Sequence, residues 1–168
     1  MKPVTPRFRI GSVPYLNAVP LTASLDQEVV YLPPSQLAAE LHAGRLDAAL
    51  LSVTEIMGRE EYEVLDGVGI TSDGPVYSVF LAHRDPLEAI REVHLDPASC
   101  TSVNLLRVLL AERGLSPTCT TLTHYDRAAQ LPNVLLIGNP AIEFRRRPGA
   151  AAIWDLGAAW QTMTGLPF

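Results

Sequence analysis

Short apolar runs alternate with segments of helical spacing through the first third of the chain. A strand-like segment at 7–13 ends before Pro14. Two further apolar runs, at 29–32 and 46–51, are each followed by a helix-type pattern. The second of these helices opens at Ser52, where a Ser-x-x-Glu sequence predicts a capping box. This alternation predicts an α/β fold with a mostly parallel sheet and helices on its faces.

The pattern changes between residues 62 and 83, where strand-like segments are separated by turn sequences. In the last of these segments one face carries Val76, Ser78, Phe80 and Ala82, and the other carries Tyr77, Val79 and Leu81. We interpret this strand as leaving a first domain, and the polar stretch after it as a linker. The predicted units are a first lobe at 1–84, a hinge at 85–92 and a second lobe at 93–168.

The second half of the chain repeats the order of strand, loop and helix. A short strand at 93–95 leads through a loop into an apolar helical stripe at 105–110, which ends near Gly114. Three more strands and the start of a last helix follow, at 118–123, 134–137, 151–154 and 156–160. The sequence therefore predicts a second unit of the same α/β class.

Composition and charge narrow the classes of function. The 168 residues are 48% hydrophobic and 18% charged, as in ordinary globular proteins. A net charge of -5 and a pI near 5.3 argue against nucleic acid or an anionic membrane surface as partner, because both require a basic footprint. No sequence window reaches the ~20 apolar residues of a membrane span. A small anionic ligand is compatible with this charge, because local dipoles can hold an anion.

The two cysteines and the first residues indicate a cytoplasmic protein. The spacing of Cys100 and Cys119 fits neither a zinc site nor a CxxC redox pair, so we expect two reduced thiols. Residues 1–7 lead directly into the first strand without the apolar region of a signal peptide. We therefore expect the protein to stay in the cytoplasm.

No motif for covalent or metal catalysis stands out. The four histidines are scattered, and no cluster of His and carboxylate residues has the spacing of a metal site, so we expect no metal. The informative feature is a set of small hydroxyl and amide residues at strand-to-helix junctions. These are Ser12 to Asn17, Ser52, Ser78, Ser99, Thr101, Ser102, Gly138 and Asn139.

These junctions are compatible with a ligand site or with ordinary helix capping. In open α/β sheets the ligand crevice lies beyond the carboxyl ends of the strands. Helix N-termini present unpaired N–H groups and a partial positive charge, so residues 99–102 are able to hold a carboxylate without a lysine. Ser and Thr are also ordinary N-cap residues, and for Ser52 alone both interpretations carry equal weight. Recurrence at several junctions in two domains, facing each other across one cleft, favours the ligand site.

Other distinctive residues have structural interpretations. We expect Arg145, Arg146 and Arg147 to form a solvated loop face rather than an anion site, and Trp154 and Trp160 to lie in the core. Asp47 is expected to do no more than precede a buried strand.

Six motifs stand in order between residue 7 and the last residue. They are Gly-Ser-Val-Pro-Tyr-Leu-Asn-Ala at 11–18, Gly-Arg-Leu-Asp-Ala-Ala-Leu-Leu-Ser at 44–52, Ser-Asp-Gly-Pro-Val-Tyr-Ser-Val at 72–79, Leu-Asp-Pro-Ala-Ser-Cys-Thr-Ser at 95–102, Leu-Ile-Gly-Asn at 136–139 and Thr-Gly-Leu-Pro-Phe at 164–168. Together they resemble the chorismate dehydratase family of menaquinone biosynthesis. Six motifs in unchanged order are far more specific than any one of them.

The resemblance implies a type II periplasmic-binding-protein fold used as an enzyme, with two lobes, mostly parallel sheets and the substrate in the cleft between them. The implied activity is that of a lyase in the futalosine route, which removes water from chorismate to leave 3-[(1-carboxyvinyl)oxy]benzoate. The resemblance implies no metal and no organic cofactor, and the substrate's own carboxylate serves as the base.

By position, the resemblance also assigns residue roles. Asn17 and Ser78 match catalytic residues that orient the substrate and assist loss of hydroxide, and positioning of this kind can supply much of the rate. Ser52, Thr101 and Ser102 would then bind carboxylates. The remaining expected substrate-binding residues are Ser12, Tyr15, Ser99, Gly138 and Asn139.

This sequence departs from the family pattern at two points. Asn139 stands where the family usually has Asp, so any charge role at that position is absent here. Family members also continue past the last motif to complete the first lobe, whereas this sequence ends at Phe168. A lobe without that segment would leave a sheet edge and an apolar face uncovered. We therefore expect either homo-oligomerisation or low stability.

Three alternatives stand beside the chorismate reaction. The sister enzyme of the same pathway, which forms a dihydroxynaphthoate, has a different opening motif and a catalytic histidine, and the neighbours of His124 do not match it. A non-catalytic binding protein for a small carboxylate is compatible with the fold, because fold does not fix function. The lack of a signal peptide argues against it. An inactive remnant is favoured only by the early end of the sequence.

Overall fold

The computed structural model of the chain describes residues 7–57, 59–147, 149 and 151–168. The chain divides into two compact units, Met1–Ile70 and Thr71–Phe168. The expectation that no signal peptide precedes the first strand falls on residues 1–6, which lie outside the described part. Among the described residues, no helix combines the length and the apolar character needed to cross a membrane.

A three-stranded parallel sheet forms the first unit. Strand β1 (Ile10–Ser12) lies in the centre and pairs with β2 (Val29–Tyr31) on one side and β3 (Ala48–Ala49) on the other. Its helical segments are a 3-10 turn at Leu16–Ala18, α1 (Val19–Thr22), α2 (Pro34–His42) and α3 (Val53–Ile56). Helix α2 begins with proline, whose missing N–H costs nothing there, and Gly44 beyond its end takes a left-handed φ of 67°.

The core of the first unit is small. Its buried apolar side chains are Val13, Ala18, Leu37 and Leu46. Gly11 in β1 lets two of them approach the sheet, because a Cβ at this position would lie 2.6 Å from Leu46 Cδ1 and 2.8 Å from Leu37 Cδ2. The absence of a side chain at Gly11 thus permits the close contact between β1 and this layer.

A five-stranded sheet forms the second unit. Its strands are β4 (Val79–His83), β5 (Glu92–Leu95), β6 (Thr118–Thr121), β7 (Asn133–Ile137) and β8 (Ala152–Asp155), in the spatial order β6-β5-β7-β4-β8. β4 runs antiparallel to both of its neighbours, and the pairs that β5 makes are parallel. The helices are α4 (Thr101–Ala111), α5 (Gly138–Arg146) and α6 (Leu156–Thr164), with 3-10 segments at Leu87–Ala89 and Tyr125–Gln130.

Apolar layers cover both faces of this sheet. Leu81 belongs to a cluster with the leucines of α4 and with Leu156, and Phe80 and Ala82 belong to a second cluster with Leu136. The predicted alternation of faces along 79–82 is therefore confirmed. The four apolar residues at 79–82 thus lie in an interior strand of the sheet, as expected for a strand covered on both faces.

The boundary between the units lies earlier than the predicted one at residue 84. β4 pairs along its whole length with β7 and over its last four residues with β8, so it belongs to the second sheet and does not leave a first domain. The segment 85–92, predicted as a hinge, contains the fully buried Ile90 and the start of β5. Its polar residues are compatible with a linker between units or with a short connection within one unit. Because Ile90 is packed in the core, the segment is a connection within the second unit.

Local predictions are confirmed except in four places. The described residues of the segment 59–78 form no strand, and β3 is shorter than the apolar run that predicted it. The capping box at Ser52 is not formed, because the Ser52 hydroxyl lies 2.8 Å from the Thr54 hydroxyl and makes no capping bond. Arg145 and Arg146 lie in α5 and not in a loop. Trp154 and Trp160 pack against the core, and Cys100 and Cys119 are not joined in a disulfide, as expected.

Candidate active site

The ends of four strands meet at one edge of the second sheet. Because β4 runs against β7 and β8, its first residue lies beside the carboxyl ends of those two strands, and β5 ends at the same edge. Helices α4, α5 and α6 all begin here, after β5, β7 and β8 respectively. This arrangement places the N–H groups of three helix N-termini around one edge, as in other open α/β sheets. The expected site residues of this unit lie here: Ser78, Ser99, Thr101, Ser102, Gly138 and Asn139.

Asp96 connects two of these helix starts. It is 1% exposed and follows directly after β5. One carboxylate oxygen accepts from the Ala98 N–H at 2.9 Å and from the Tyr125 hydroxyl at 2.6 Å, and the other accepts from the Ile137 N–H at 3.1 Å. A buried carboxylate with three donors is well satisfied. Asp96 therefore joins the loop before α4 to the last residue of β7.

The loop from Asp96 to α4 carries the expected carboxylate-binding residues. The Ser99 N–H donates to the Asp96 carbonyl at 3.1 Å, and the Ser99 hydroxyl oxygen is buried without a hydrogen-bond partner in the described protein. Thr101 is the first residue of α4, and Ser102, which follows it, is 6% exposed. Buried hydroxyls are nearly always paired, so the Ser99 hydroxyl at a helix start is suited to a polar ligand atom.

Gly138 and Ser78 are joined by a backbone bond. The Gly138 N–H donates to the Ser78 carbonyl at 2.8 Å, and Gly138 takes a φ of 59°, which favours glycine at this position. Asn139, the next residue of α5, is exposed. The start of α5 and the residue before β4 thus lie side by side at this edge.

Ser78 ends a loop that a second aspartate anchors. The carboxylate of Asp155 accepts from the Val76 N–H at 3.0 Å and from the Tyr77 N–H at 2.9 Å. It also accepts from the N–H groups of Gly157 and Ala158, both at 3.1 Å, and so caps α6. Arg145 lies 3.2 Å from the same carboxylate, so the expectation that it is a solvated loop residue was wrong.

The four expected site residues of the first unit lie along the carboxyl edge of its own sheet. Ser12 ends β1, is 1% exposed, and its hydroxyl has no hydrogen-bond partner among the described residues. Tyr15 precedes the 3-10 turn, and Asn17 lies in its middle, exposed. Ser52 follows β3 and opens α3. Because β1 and β3 are parallel, Ser12 and Ser52 share an edge.

The resolved pKa shifts lie away from these residues. At the start of β3, the guanidinium and backbone N–H of Arg9 hydrogen-bond Asp47 and lower the pKa of its carboxyl from 3.8 to about 2. Arg45 lowers the pKa of Glu40 in the same way, beside the end of α2. The Arg9–Asp47 pair connects the residues that precede β1 and β3, and the Arg45–Glu40 pair connects α2 to the loop after it. Asp47 therefore has a clamping role that its position before a strand did not indicate.

The described residues of the candidate edge offer mainly hydrogen-bond donors. Across the described ranges, no group of three or more His, Cys, Asp or Glu side chains is placed to hold a metal ion. The two acids of the candidate edge, Asp96 and Asp155, are engaged with backbone and side-chain donors. What the edge offers a ligand is N–H groups, hydroxyls and one amide, which suits an anion with hydrogen-bond acceptors.

Sequence reasoning missed Asp96, Asp155 and Arg145. Asp155 precedes a helical run that starts at Leu156, and an aspartate in that place is an N-cap signal. Asp96 was inside a recognised motif, directly before Pro97, but its three donors come from distant parts of the chain. Arg145 gave no local signal, because its partners are Asp155 and the rings of Tyr77 and Phe80.

Solved structures identify the class of fold. A protein of Archaeoglobus fulgidus matches with a TM-score of 0.65 and 17% identity, covering 96% of this chain and 65% of that one. The periplasmic aliphatic sulphonate binding protein SsuA of Escherichia coli matches with a TM-score of 0.56 and 21% identity, covering 90% of this chain and 60% of that one. The predicted α/β fold of the type II periplasmic-binding-protein class is confirmed.

Within that class, the family model described as menaquinone biosynthesis matches residues 8–168, and the chain belongs to this family. A chorismate dehydratase of Thermus thermophilus is 30% identical, over 96% of this chain and 67% of the relative. A chorismate dehydratase of Campylobacter jejuni is 29% identical, over 94% of this chain and 63% of the relative. The chain thus spans about two thirds of the length of these curated relatives. Neither match favours the sister enzyme or a non-catalytic binding protein.

Proposed function

We propose that this chain acts as a lyase that removes water from chorismate, leaving 3-[(1-carboxyvinyl)oxy]benzoate, in the futalosine route to menaquinone and in the cytoplasm. The observation that carries the proposal is the agreement of two facts. Both curated relatives are chorismate dehydratases, and the second unit gathers three helix starts and several hydroxyls at one sheet edge. A net charge of -5 fits a small-molecule substrate rather than nucleic acid.

Chorismate carries two carboxylates, and the edge of the second unit suits such a ligand. Helix N-termini attract carboxylates through unpaired N–H groups and the helix dipole. In this proposal Ser99, Thr101 and Ser102 at the start of α4 bind one carboxylate, while Gly138 and Asn139 contact the substrate from the start of α5. Ser12, Tyr15 and Ser52 of the first unit complete the set of binding residues.

The chemistry needs positioning more than a strong base. The C–O bond to the ring hydroxyl breaks as a neighbouring C–H bond gives its proton to the substrate's own carboxylate, and the electron pair left behind completes an aromatic ring. Ser78 donates a hydrogen bond to the departing hydroxide, and Asn17 orients the substrate. Donors held in place for charge that develops in the transition state supply a large part of the rate in many enzymes. No metal or organic cofactor takes part in these steps.

The test is to incubate the purified chain with chorismate and follow chorismate and the aromatic enol ether by liquid chromatography and mass spectrometry. We expect product from the unaltered chain. Ser78→Ala and Asn17→Ala should each lower kcat by about a hundredfold or more, with a smaller change in chorismate affinity. Ser116→Ala, an exposed serine in the loop before β6, is the matched control and should leave kcat unchanged.

Each result separates one alternative from the proposal. Tight binding of chorismate without turnover would support a non-catalytic binding protein. Neither binding nor turnover would overturn the chorismate assignment for this chain. Turnover that survives both substitutions would leave the reaction in place and overturn the roles of Ser78 and Asn17.

A further inference from the structure

One carboxylate holds the loop that carries Ser78. Asp155 Oδ1 accepts from Val76 in the loop and from Gly157 and Ala158 in the first turn of α6. Asp155 Oδ2 accepts from the Tyr77 N–H at 2.9 Å and from Arg145 Nη2 at 3.2 Å. The two oxygens therefore have separable tasks. Oδ1 caps the helix and holds Val76, whereas Oδ2 holds Tyr77 and the arginine.

The backbone at Tyr77 needs such an anchor. Among the described residues other than glycine, Tyr77 alone has a positive φ, 63°, and a bulky L-residue is disfavoured in this left-handed region. The Arg145 guanidinium lies 4.5 Å from the centre of the Tyr77 ring and 4.8 Å from that of Phe80. Asp155 thus holds Tyr77 twice, through its backbone N–H and through the arginine that lies over its ring.

Close packing fixes the loop against α6. A Cβ at Gly157 would lie 2.5 Å from the Gly74 carbonyl oxygen and 2.2 Å from a Val76 methyl group, so the loop rests directly on the first turn of the helix. Asp155 is 12% exposed at its side chain, and Arg145 is 21% exposed. The anchor is therefore largely shielded from water, where charge-assisted hydrogen bonds are strongest.

Ser78 is the residue that this anchor presents at the sheet edge. Its N–H donates to the Val76 carbonyl at 2.7 Å, and its carbonyl accepts from Gly138 at the start of α5 at 2.8 Å. Ser78 is thus held on one side by the segment that Asp155 grips and on the other by α5. Ser78 lies just before β4 and is not paired as a strand residue, so a shift of Tyr77 would also move the Ser78 hydroxyl.

We propose that Asp155 is a positioning residue for Ser78, acting through Oδ2 and the Tyr77 backbone. The proposal rests on the proposed function, because it assigns Ser78 to the departing hydroxide. Asp155 itself makes no contact with the substrate in this account. Its role is to keep the 76–78 segment in the strained conformation from which Ser78 donates.

Asp155→Asn separates this role from helix capping. If the amide oxygen takes the place of Oδ1, it keeps the bonds to Val76, Gly157 and Ala158, and asparagine is an equally good N-cap. The amide NH2 then faces two other donors, the Tyr77 N–H and Arg145, so the grip on Tyr77 is lost. We expect kcat per folded molecule to fall by about tenfold to a hundredfold, with KM for chorismate changed much less.

A second variant and a matched control keep the test decisive. Asp155→Ser still caps a helix but is too short to reach Tyr77, so it should lower kcat as Asp155→Asn does. Asp73→Asn removes a carboxylate from the same loop, where Asp73 accepts from the side chain of Gln161 and from no other described residue, and should keep the kcat of the unaltered chain. Hydrogen exchange adds a readout that needs no turnover. The Tyr77 amide should lose protection in Asp155→Asn, while the Ala158 amide keeps it.

The outcomes distinguish the two proposals. An unaltered chain without turnover contradicts the proposed function, and the exchange of the Tyr77 amide then still decides whether Asp155 anchors the loop. An active chain whose kcat is the same in Asp155→Asn overturns the positioning role. Loss of melting temperature with unchanged kcat per folded molecule would show a purely structural residue and overturn it as well.

Discussion

The two units of the chain bury very different cores. The described part of the first unit buries four apolar side chains in one cluster, whereas the second unit has clusters of nine and seven, on the two faces of its sheet. Of the eighteen large apolar side chains that are exposed among the described residues, twelve belong to the first unit. Burial of apolar area is the main favourable term in folding, so most of the stability of the chain is expected in the second unit.

The difference extends to the candidate site residues. In the second unit, Asp96 and Asp155 tie the backbone at the site edge to three helix starts, and both are largely buried. In the first unit, Asn17 is exposed on a three-residue turn, and the two shortest ion pairs among the described residues, Arg9–Asp47 and Arg45–Glu40, are at the surface. Exposed pairs contribute little stability. A rigid binding edge and a more loosely held catalytic amide are the expected consequence.

The largest effect should come from truncation in the two cores. Phe80 is fully buried and packs at 6.0 Å between ring centres against Phe144, so Phe80→Ala should lower the free energy of unfolding of the second unit by about 3–5 kcal/mol. Leu37→Ala should cost about 2 kcal/mol, because the small first core can collapse around the gap. Denaturant unfolding measures both, with the exposed Val108→Ala as control. A greater loss from Leu37→Ala would reverse the comparison.

A smaller difference in stability is expected between alanine substitutions at two glycines, one in each unit. Gly157→Ala meets a backbone carbonyl of the loop that carries Ser78, which cannot move without displacing that serine, so stability should fall by about 1–3 kcal/mol and turnover should fall with it. The contacts of Gly11→Ala below 3.0 Å are with the ends of two leucine side chains, which can rotate away, so it should cost less. Thermal melts and chorismate turnover of both variants test this. Equal losses in both would show that the Gly157 contact has no special role.

The smallest expected effect is a loss of stability at acidic pH, which concerns the first unit alone. Because Arg9 lowers the folded pKa of Asp47 to about 2, the pair adds stability above the ordinary carboxyl range near pH 4, and this contribution is lost as pH falls through about 2. A carbon-detected NMR titration of Asp47 should show a midpoint near 2. Arg9→Gln should raise that midpoint towards 3.8, whereas Arg45→Gln should not change it. An unchanged Asp47 midpoint in Arg9→Gln would contradict the stabilising interaction between Arg9 and Asp47.

Local patterns predicted much of this molecule, and contacts between distant segments did not follow from them. Periodicity identified β1, β2, α2, β5, α4 and the alternation along β4, because each depends on neighbours in the sequence. The assignment of β4 to a unit failed, because a strand that is apolar on both faces fits either sheet. Asp155 was missed for a similar reason, since Tyr77 lies 78 positions earlier in the chain. The Ser12 and Ser78 positions followed from motifs, but their roles still await the kinetic test.

Hydrogen exchange of the whole chain, with and without chorismate, tests most directly whether the rigid edge of the second unit binds the substrate. We predict that chorismate increases protection in the segments 76–78, 98–102 and 138–139, with the strands of the second sheet already slow to exchange in its absence. Protection confined to other segments, or no change at a chorismate concentration that saturates turnover, would contradict the assignment of this edge.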